Sequence, residues 1–224
     1  AAYRRVLTAL DLSIVDLDAA ERSGLVRVVD GRCVFHHPSA PAAMQNLARA
    51  GELGAVHRAL ADAAEGDPIV AANHALQVPD VDPARLLSLV VAGANHAERL
   101  HSHAAAAELW EAAAALTAPT TAPSGRTHAL RLAALQAHLR AGAAVEAEAI
   151  IRRLLPDAVD DVGRATLLGG LVSIAQWTRS GPPEDAEWIE DEARRMRESE
   201  DALVRLAGDD LLSGLATAAL AVGE

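Results

Sequence analysis

LVRVVDGRCVFHHP, residues 25–38, is the stretch on which the rest of the chain hangs. It is the one place where apolar residues alternate with period two around a tight-turn signal. Leu25, Val26, Val28 and Val29 lead into Asp30 and Gly31, and Cys33, Val34 and Phe35 lead out. Asp-Gly between two apolar runs predicts a β-hairpin, because both central residues of a type I′ turn need positive φ. Almost everything on either side has helical spacing.

Composition narrows the choices. Aromatic residues make up only 2% of the 224, so the core must be built from Ala, Leu and Val, with Trp110, Trp177 and Trp188 as rare large fillers. Ala and Leu lead the helix-propensity order. The formal net charge of −11 argues against a broad nucleic-acid footprint, which needs clustered cations that release counterions. No Lys occurs and all basic residues are Arg, which reflects coding bias more than chemistry. A single cysteine, Cys33, excludes an internal disulfide and suits a reducing, cytoplasmic setting. There is no signal-peptide pattern and no apolar run of spanning length. The opening AAYRRVLTALDL lacks a starting Met, and the closing LLSGLATAALAVGE lacks a clear cap, so the chain is expected to be a segment of something larger.

Residues 1–10 put Tyr3, Val6, Leu7 and Leu10 on one helical face. A second helix, DLDAAERSGL, is predicted with Asp16 or Asp18 as N-cap, Glu21 completing a capping box with Asp18, and Gly24 ending it. Helix, turn, helix and two-stranded wing is the order of a winged-helix module. Pro38 and Pro41 bracket the next helix entry, and residues 42–66 read as helix with a break near Gly51 to Gly54. VAANHALQV continues the helical pattern after Pro68, and residues 78–83 form a loop. From there helix pairs follow: 85–100 with 103–116, 125–142 with 143–156, and 162–181 with 183–200, separated by a Thr/Pro/Ala loop at 117–125. The run 201–222 opens another. The second helices recur about every 40 residues, a period that marks a solenoid of the tetratricopeptide type. The expected fold is mainly α. A small winged-helix-like module with one β-hairpin and a trailing helix spans residues 1–66, and a right-handed α-helical, tetratricopeptide-like repeat array spans 67–224.

Gly24, Leu25, Val26, Phe35, His37 and Pro38, then His57, Leu60 and Ala61, then His74 and Ala104 to Leu116 carry a resemblance. The phrases GLVRVV…VFHHPSA, HRALA and NHALQ resemble the middle of the large ATP-binding regulators of the LuxR family. His36 stands where that family usually has Arg, Ser39 where it has an apolar residue, and Pro41 falls at its helix start. The specific wording covers residues 20–116; the remainder matches as generic helical repeat. The resemblance implies a non-enzymatic coupling and sensor segment of a cytoplasmic bacterial transcriptional regulator. Its partners would be the ATPase and DNA-binding domains of the same parent chain and a small-molecule or protein effector. It implies no direct nucleic-acid contact and no membrane contact, and a homo-oligomer stays open. The alternative is a helical-repeat scaffold for protein partners that senses nothing small. No GxxxxGK[ST] phosphate loop and no DNA-reading helix-turn-helix occurs in the 224 residues.

The polar residues suggest structural work first. His101 and His103 are i, i+2, His96 and His103 are two turns apart, and His36 and His37 alternate, so none of these pairs can chelate. No metal, cofactor or catalytic set is expected. Ser13, Ser39 and Ser173 lack a nucleophile-elbow context, and Cys33 is expected as a small buried hydrophobe. His37, His57 and His74 are expected to hold the wing against the following helices, with Phe35 and Pro38 at the same junction. Arg4, Arg5, Arg22, Arg27 and Arg32 are offset by Asp11, Asp16, Asp18, Glu21 and Asp30, which favours docking over DNA binding. The acidic run 184–201 is expected to be a solvated face with pairs Glu190–Arg194 and Asp191–Arg195, behind an acid-rich start after Pro182 and Pro183. Asn95, Arg99, His138 and Trp177 are the candidates for contact with a ligand or partner.

Overall fold

The computed structural model describes residues 2–29, 32–64, 66–117, 125–158, 160–178 and 181–220. Among them are twelve α-helices and one two-stranded antiparallel sheet, a mainly α chain with a single hairpin. The residues group into two compact units, Ala1–Leu116 and Thr117–Glu224.

In the first unit, α1 (Ala2–Ala9) and α2 (Ile14–Arg22) precede β1 (Val26–Val29) and β2 (Arg32–Phe35). The N-cap of α2 is Ser13, earlier than either expected Asp. The Asp16 carboxylate accepts from both the Ser13 amide and hydroxyl at 2.8 Å, and the backbone bond chiefly holds its carboxyl below the usual range. Glu21 is therefore not part of a box with Asp18; it accepts from the Val28 amide at 3.1 Å and ties α2 to the ribbon. Gly24 does end the helix as expected. At φ +74° it forms a Schellman closure, with Gly24 donating to Glu21 and Leu25 to Ala20.

The strand register pairs Val26 with Phe35 and Val28 with Cys33, placing these four on one face, while Arg27, Val29 and Val34 share the other. The expected Asp30–Gly31 turn lies outside the described residues, as does most of the 117–125 loop.

α3 (Ala40–Leu47) takes Pro41 into its first turn, where a missing N–H costs nothing. It ends at Ala48, three residues before the expected break near Gly51. There Glu52 reaches back to accept the Arg49 amide at 2.8 Å and opens α4 (Ala50–Ala63). Asp67 and Asp82 each precede a proline and cap α5 (Pro68–Ala75) and α6 (Pro83–Arg99) by accepting from Val70 and Arg85. The boundary expected after residue 66 falls between α4 and α5, which pack on each other within this unit. α7 (His103–Thr117) follows, its Trp110 indole donating to Glu98 of α6 at 3.3 Å.

The second unit holds α8 (Gly125–Ala141), α9 (Ala144–Leu154) with a closing 3₁₀ turn, α10 (Asp161–Thr178), α11 (Ala186–Arg197) and α12 (Ala202–Leu220). α8 pairs with α9 as expected. α10 packs against α9 and α12 more than against α11, and α12 lies along both α10 and α11. Of the expected ladder, Glu190–Arg194 forms, whereas Asp191–Arg195 does not. Asp191 pairs with Arg194, while Arg195 reaches Glu192 and, at 2.9 Å, Asp161 at the start of α10. Asp185 pairs with Arg152 of α9.

Small residues set the helix separations. A Cβ on Gly93 would lie 2.8 Å from that of Ala72 and 2.9 Å from the Pro68 carbonyl, so α6 rests directly on α5. Gly208 meets the Ala193 carbonyl at 2.7 Å in the same sense, and Gly214 meets Val172. Gly169, in the middle of α10, is different: nothing lies within 4 Å of its virtual Cβ. Gly93→Ala should therefore cost about 1–3 kcal/mol by overpacking. Gly169→Ala should add roughly 0.5–1 kcal/mol, the usual gain over glycine inside a helix. Urea denaturation of the two variants checks both signs; a neutral Gly93→Ala would remove the close-approach account.

Candidate functional site

The expected contact residues are scattered. Asn95 and Arg99 lie one turn apart on the exposed side of α6. The Asn95 amide turns back to the Val91 carbonyl at 2.8 Å, and Arg99 rests on His96 at 3.2 Å. Trp177 is 64% exposed near the end of α10, whereas His138 is buried within α8. Asn95 and Arg99 belong to the first unit and His138 and Trp177 to the second. In neither unit do the two named residues line a common cavity among those described.

Of the junction residues, Phe35 ends β2 and is 39% exposed. His37, just beyond it, is exposed and bonded to the Ser39 hydroxyl at 2.7 Å, a local turn contact that reaches no helix beyond α3. Pro38 is exposed in the same turn. His57 and His74 do meet. Their Nδ1 atoms are 3.0 Å apart and link α4 to α5, with ring centroids at 5.2 Å. One nitrogen must donate and the other accept, so the link needs at least one neutral ring. Burial pushes the His74 imidazolium below its usual 6.5, and the neighbouring His57 acts in the same direction. The carboxylates of these elements are engaged elsewhere: Glu52 with Arg49, and Asp62 with Arg85. Cys33 is exposed and not buried as expected. It edges an open apolar cleft of about 360 Å³ with Val6, Leu7, Leu17 and Leu60.

The second unit contains a site that residue-by-residue reading misses. A groove of about 370 Å³ runs between α10 and α12. This is at the lower end of the ~300–1,000 Å³ typical of small-molecule pockets. Ala165, Gly169, Ser173 and Gln176 supply one wall and Ala207, Asp210 and Gly214 the other. Gln176 donates from Nε2 to the Gly214 carbonyl at 2.9 Å and fixes the two helices at that level. Ser173 and Asp210 each stand one turn N-terminal of that bond. The signal was present as small and polar residues at i, i+4, i+8 on α10 and i, i+3, i+7 on α12. It pointed to one face of each helix but not to their being neighbours. Among the described residues no group of three or more His, Cys, Asp or Glu is arranged to hold a metal ion.

Comparison with protein-family models, with curated proteins and with solved structures yields no match.

The His57–His74 link makes unfolding pH-dependent. The unfolded imidazole titrates near 6.5 and the folded His74 below it, so between those values the unfolded chain binds more protons. This contribution is fully present above about 6.5 and is lost as pH falls through that value toward the folded one. His57→Gln keeps a hydrogen-bonding partner without the second charge and should show a shallower loss of unfolding midpoint between pH 7.5 and 5.5. Parallel pH profiles for the two proteins would remove the link's role.

Proposed function

We propose that this chain is a non-catalytic coupling and sensor segment of a cytoplasmic bacterial regulator of the LuxR type. In this reading it relays binding on its helical pairs to ATPase and DNA-binding domains elsewhere in the parent protein. The observation that carries the reading is the ribbon. It follows two short helices, and Val29, Val34 and Phe35 are 43%, 41% and 39% exposed on it. Apolar side chains on so small a wing suit docking against another domain. The recurrence of helices supports the relay: α7, α9 and α11 open at His103, Ala144 and Ala186, about 41 residues apart, although α10 packs on α9 and α12 rather than pairing with α11. The α10–α12 groove offers a place for an effector. A ligand there would shift the balance between docked and released wing only by its differential affinity for the two states.

A protein-docking scaffold is the second reading, favoured by Trp177, since exposed tryptophans are frequent binding anchors. Among the described residues no helix is long and apolar enough to cross a membrane.

The gene around this segment tests the proposal first. A GxxxxGK[ST] loop is expected upstream and a basic helix-turn-helix downstream; absence of both overturns it. In the parent protein, Phe35→Ala should raise basal ATP turnover about fivefold, the shift given by losing ~1 kcal/mol of clamp contact. Unchanged turnover in a folded variant speaks for the scaffold.

A further inference from the structure

We infer that the α10–α12 groove binds a small aliphatic primary amine. The inference rests on the sensor reading only for its biological use; the site itself is argued from its own residues.

The first ground is Gly169. Glycine inside a helix is destabilising relative to alanine, so an interior glycine needs a reason. The other glycines well inside described helices have one: Gly54 abuts Pro79, Gly93 abuts Ala72, Gly170 abuts Ile151, and Gly208 and Gly214 abut α11 and α10. At each of these a methyl group would come within 2.8 Å of a neighbour. At Gly169 a methyl would enter empty space, and that space is the groove. The chain's own packing does not require this glycine, and its missing side chain leaves the groove open at that level.

The second ground is the polar set. Asp210 is exposed and, among the described residues, makes no ion pair or hydrogen bond, although its neighbour Asp209 is held by Arg197 at 2.7 Å. Among the described residues the Ser173 hydroxyl has no hydrogen-bond partner, and Gln176 spends its Nε2 on Gly214, leaving Oε1 as an acceptor. Among the described residues no basic one lines the groove. The arginines of the adjoining α11 and α12 are committed: Arg194 to Glu190, Arg195 to Asp161, Arg197 to Asp209 and Arg205 to the carbonyls of Ser199 and Glu200.

The groove therefore offers one carboxylate and the neutral acceptors of Thr166, Ser173 and Gln176 beside the aliphatic surface of Val172 and Leu211. An alkylammonium group has N–H donors, no acceptor and one positive charge, which matches a set of acceptors that carries one negative charge. Its slim chain fits over Gly169, and a single charge-assisted contact at Asp210 supplies the selectivity. A divalent cation would find only one carboxylate, and an anion would meet Asp210 unopposed.

Isothermal titration of the 224-residue chain with n-butylamine and 1,4-diaminobutane, beside butyrate and 1-butanol, tests the assignment. Saturable binding of both amines is expected, with none of the acid or the alcohol. Asp210→Asn should weaken amine binding about tenfold or more by removing the charge. Gly169→Leu should abolish it by filling the groove. Far-ultraviolet circular dichroism verifies that both variants are folded; should Gly169→Leu fail to fold, Asp210→Asn decides alone. Absence of saturable amine binding at millimolar concentrations, binding unchanged in Asp210→Asn, or butanol binding as well as butylamine overturns the inference. The coupling reading fails separately. Amine binding that leaves ATP turnover of the parent protein unchanged removes the sensor role and keeps the site. Phe35-dependent turnover without amine binding does the reverse.

Discussion

Everything in this protein depends on helices approaching one another across alanine and glycine. With so few aromatic side chains, the buried set is led by alanines such as Ala72, Ala94, Ala97, Ala106 and Ala113, supplemented by Leu109, Leu168, Ile151, Ile189 and Met196. Small side chains bring few dispersion contacts each, so many backbone-close contacts must replace a few large ones. The glycines at 93, 208 and 214 take this to its limit, because a neighbouring helix occupies the position of their missing methyl. Such packing has little tolerance: one added carbon displaces a helix rather than a flexible side-chain end.

Packing by small residues carries little directional information, and polar contacts supply it. In the second unit, Arg152–Asp185 joins α9 to the start of α11, Arg195–Asp161 joins α11 to α10, and Arg197–Asp209 joins α11 to α12. These side chains are more than a third exposed, so each pair contributes little to stability. Their value lies in fixing which helix stands beside which, a task the near-uniform Ala surface performs poorly. In the first unit the same role falls to His57 with His74 and to Glu21 with the Val28 amide.

The elements were largely legible because their signals are local. Asp-Gly flanked by alternating valines marks the ribbon, Gly24 closes α2, and Asp-Pro opens α5 and α6. Local competition explains the misplaced ends. Ser13 outcompeted two aspartates as the cap of α2 because Asp16 could bond back to it, and Glu52 moved the break before α4 by capping Arg49. What stayed hidden is long-range. The contact between α10 and α12 skips a helix, and nothing in either sequence names the other. His57 and His74 are 17 residues apart on different helices; they were expected, with His37, to hold the wing, but they bond each other and tie α4 to α5, and His37 takes no part. Cys33 was misjudged because strand alternation puts it on the inner face, yet that face ends in an open cleft.

That open cleft bears on the proposed role of the wing. Among the described strand side chains only Val26 is buried. An isolated two-stranded ribbon is marginal in water, and this one draws support from one side-chain bond to α2 and from its half-covered inner face. Buried apolar area is the main source of folding free energy, so this ribbon is held by much less of it than α5, α6 or α10. A thinly held element is the one whose position a partner domain can change at least cost, since few internal contacts must break. A stiffly packed wing would resist release, and a wholly unpacked one could not transmit it. The wing lies between these limits, and this, together with its exposed valines and phenylalanine, is the physical basis for reading it as a clamp rather than as a cap on the helices behind it.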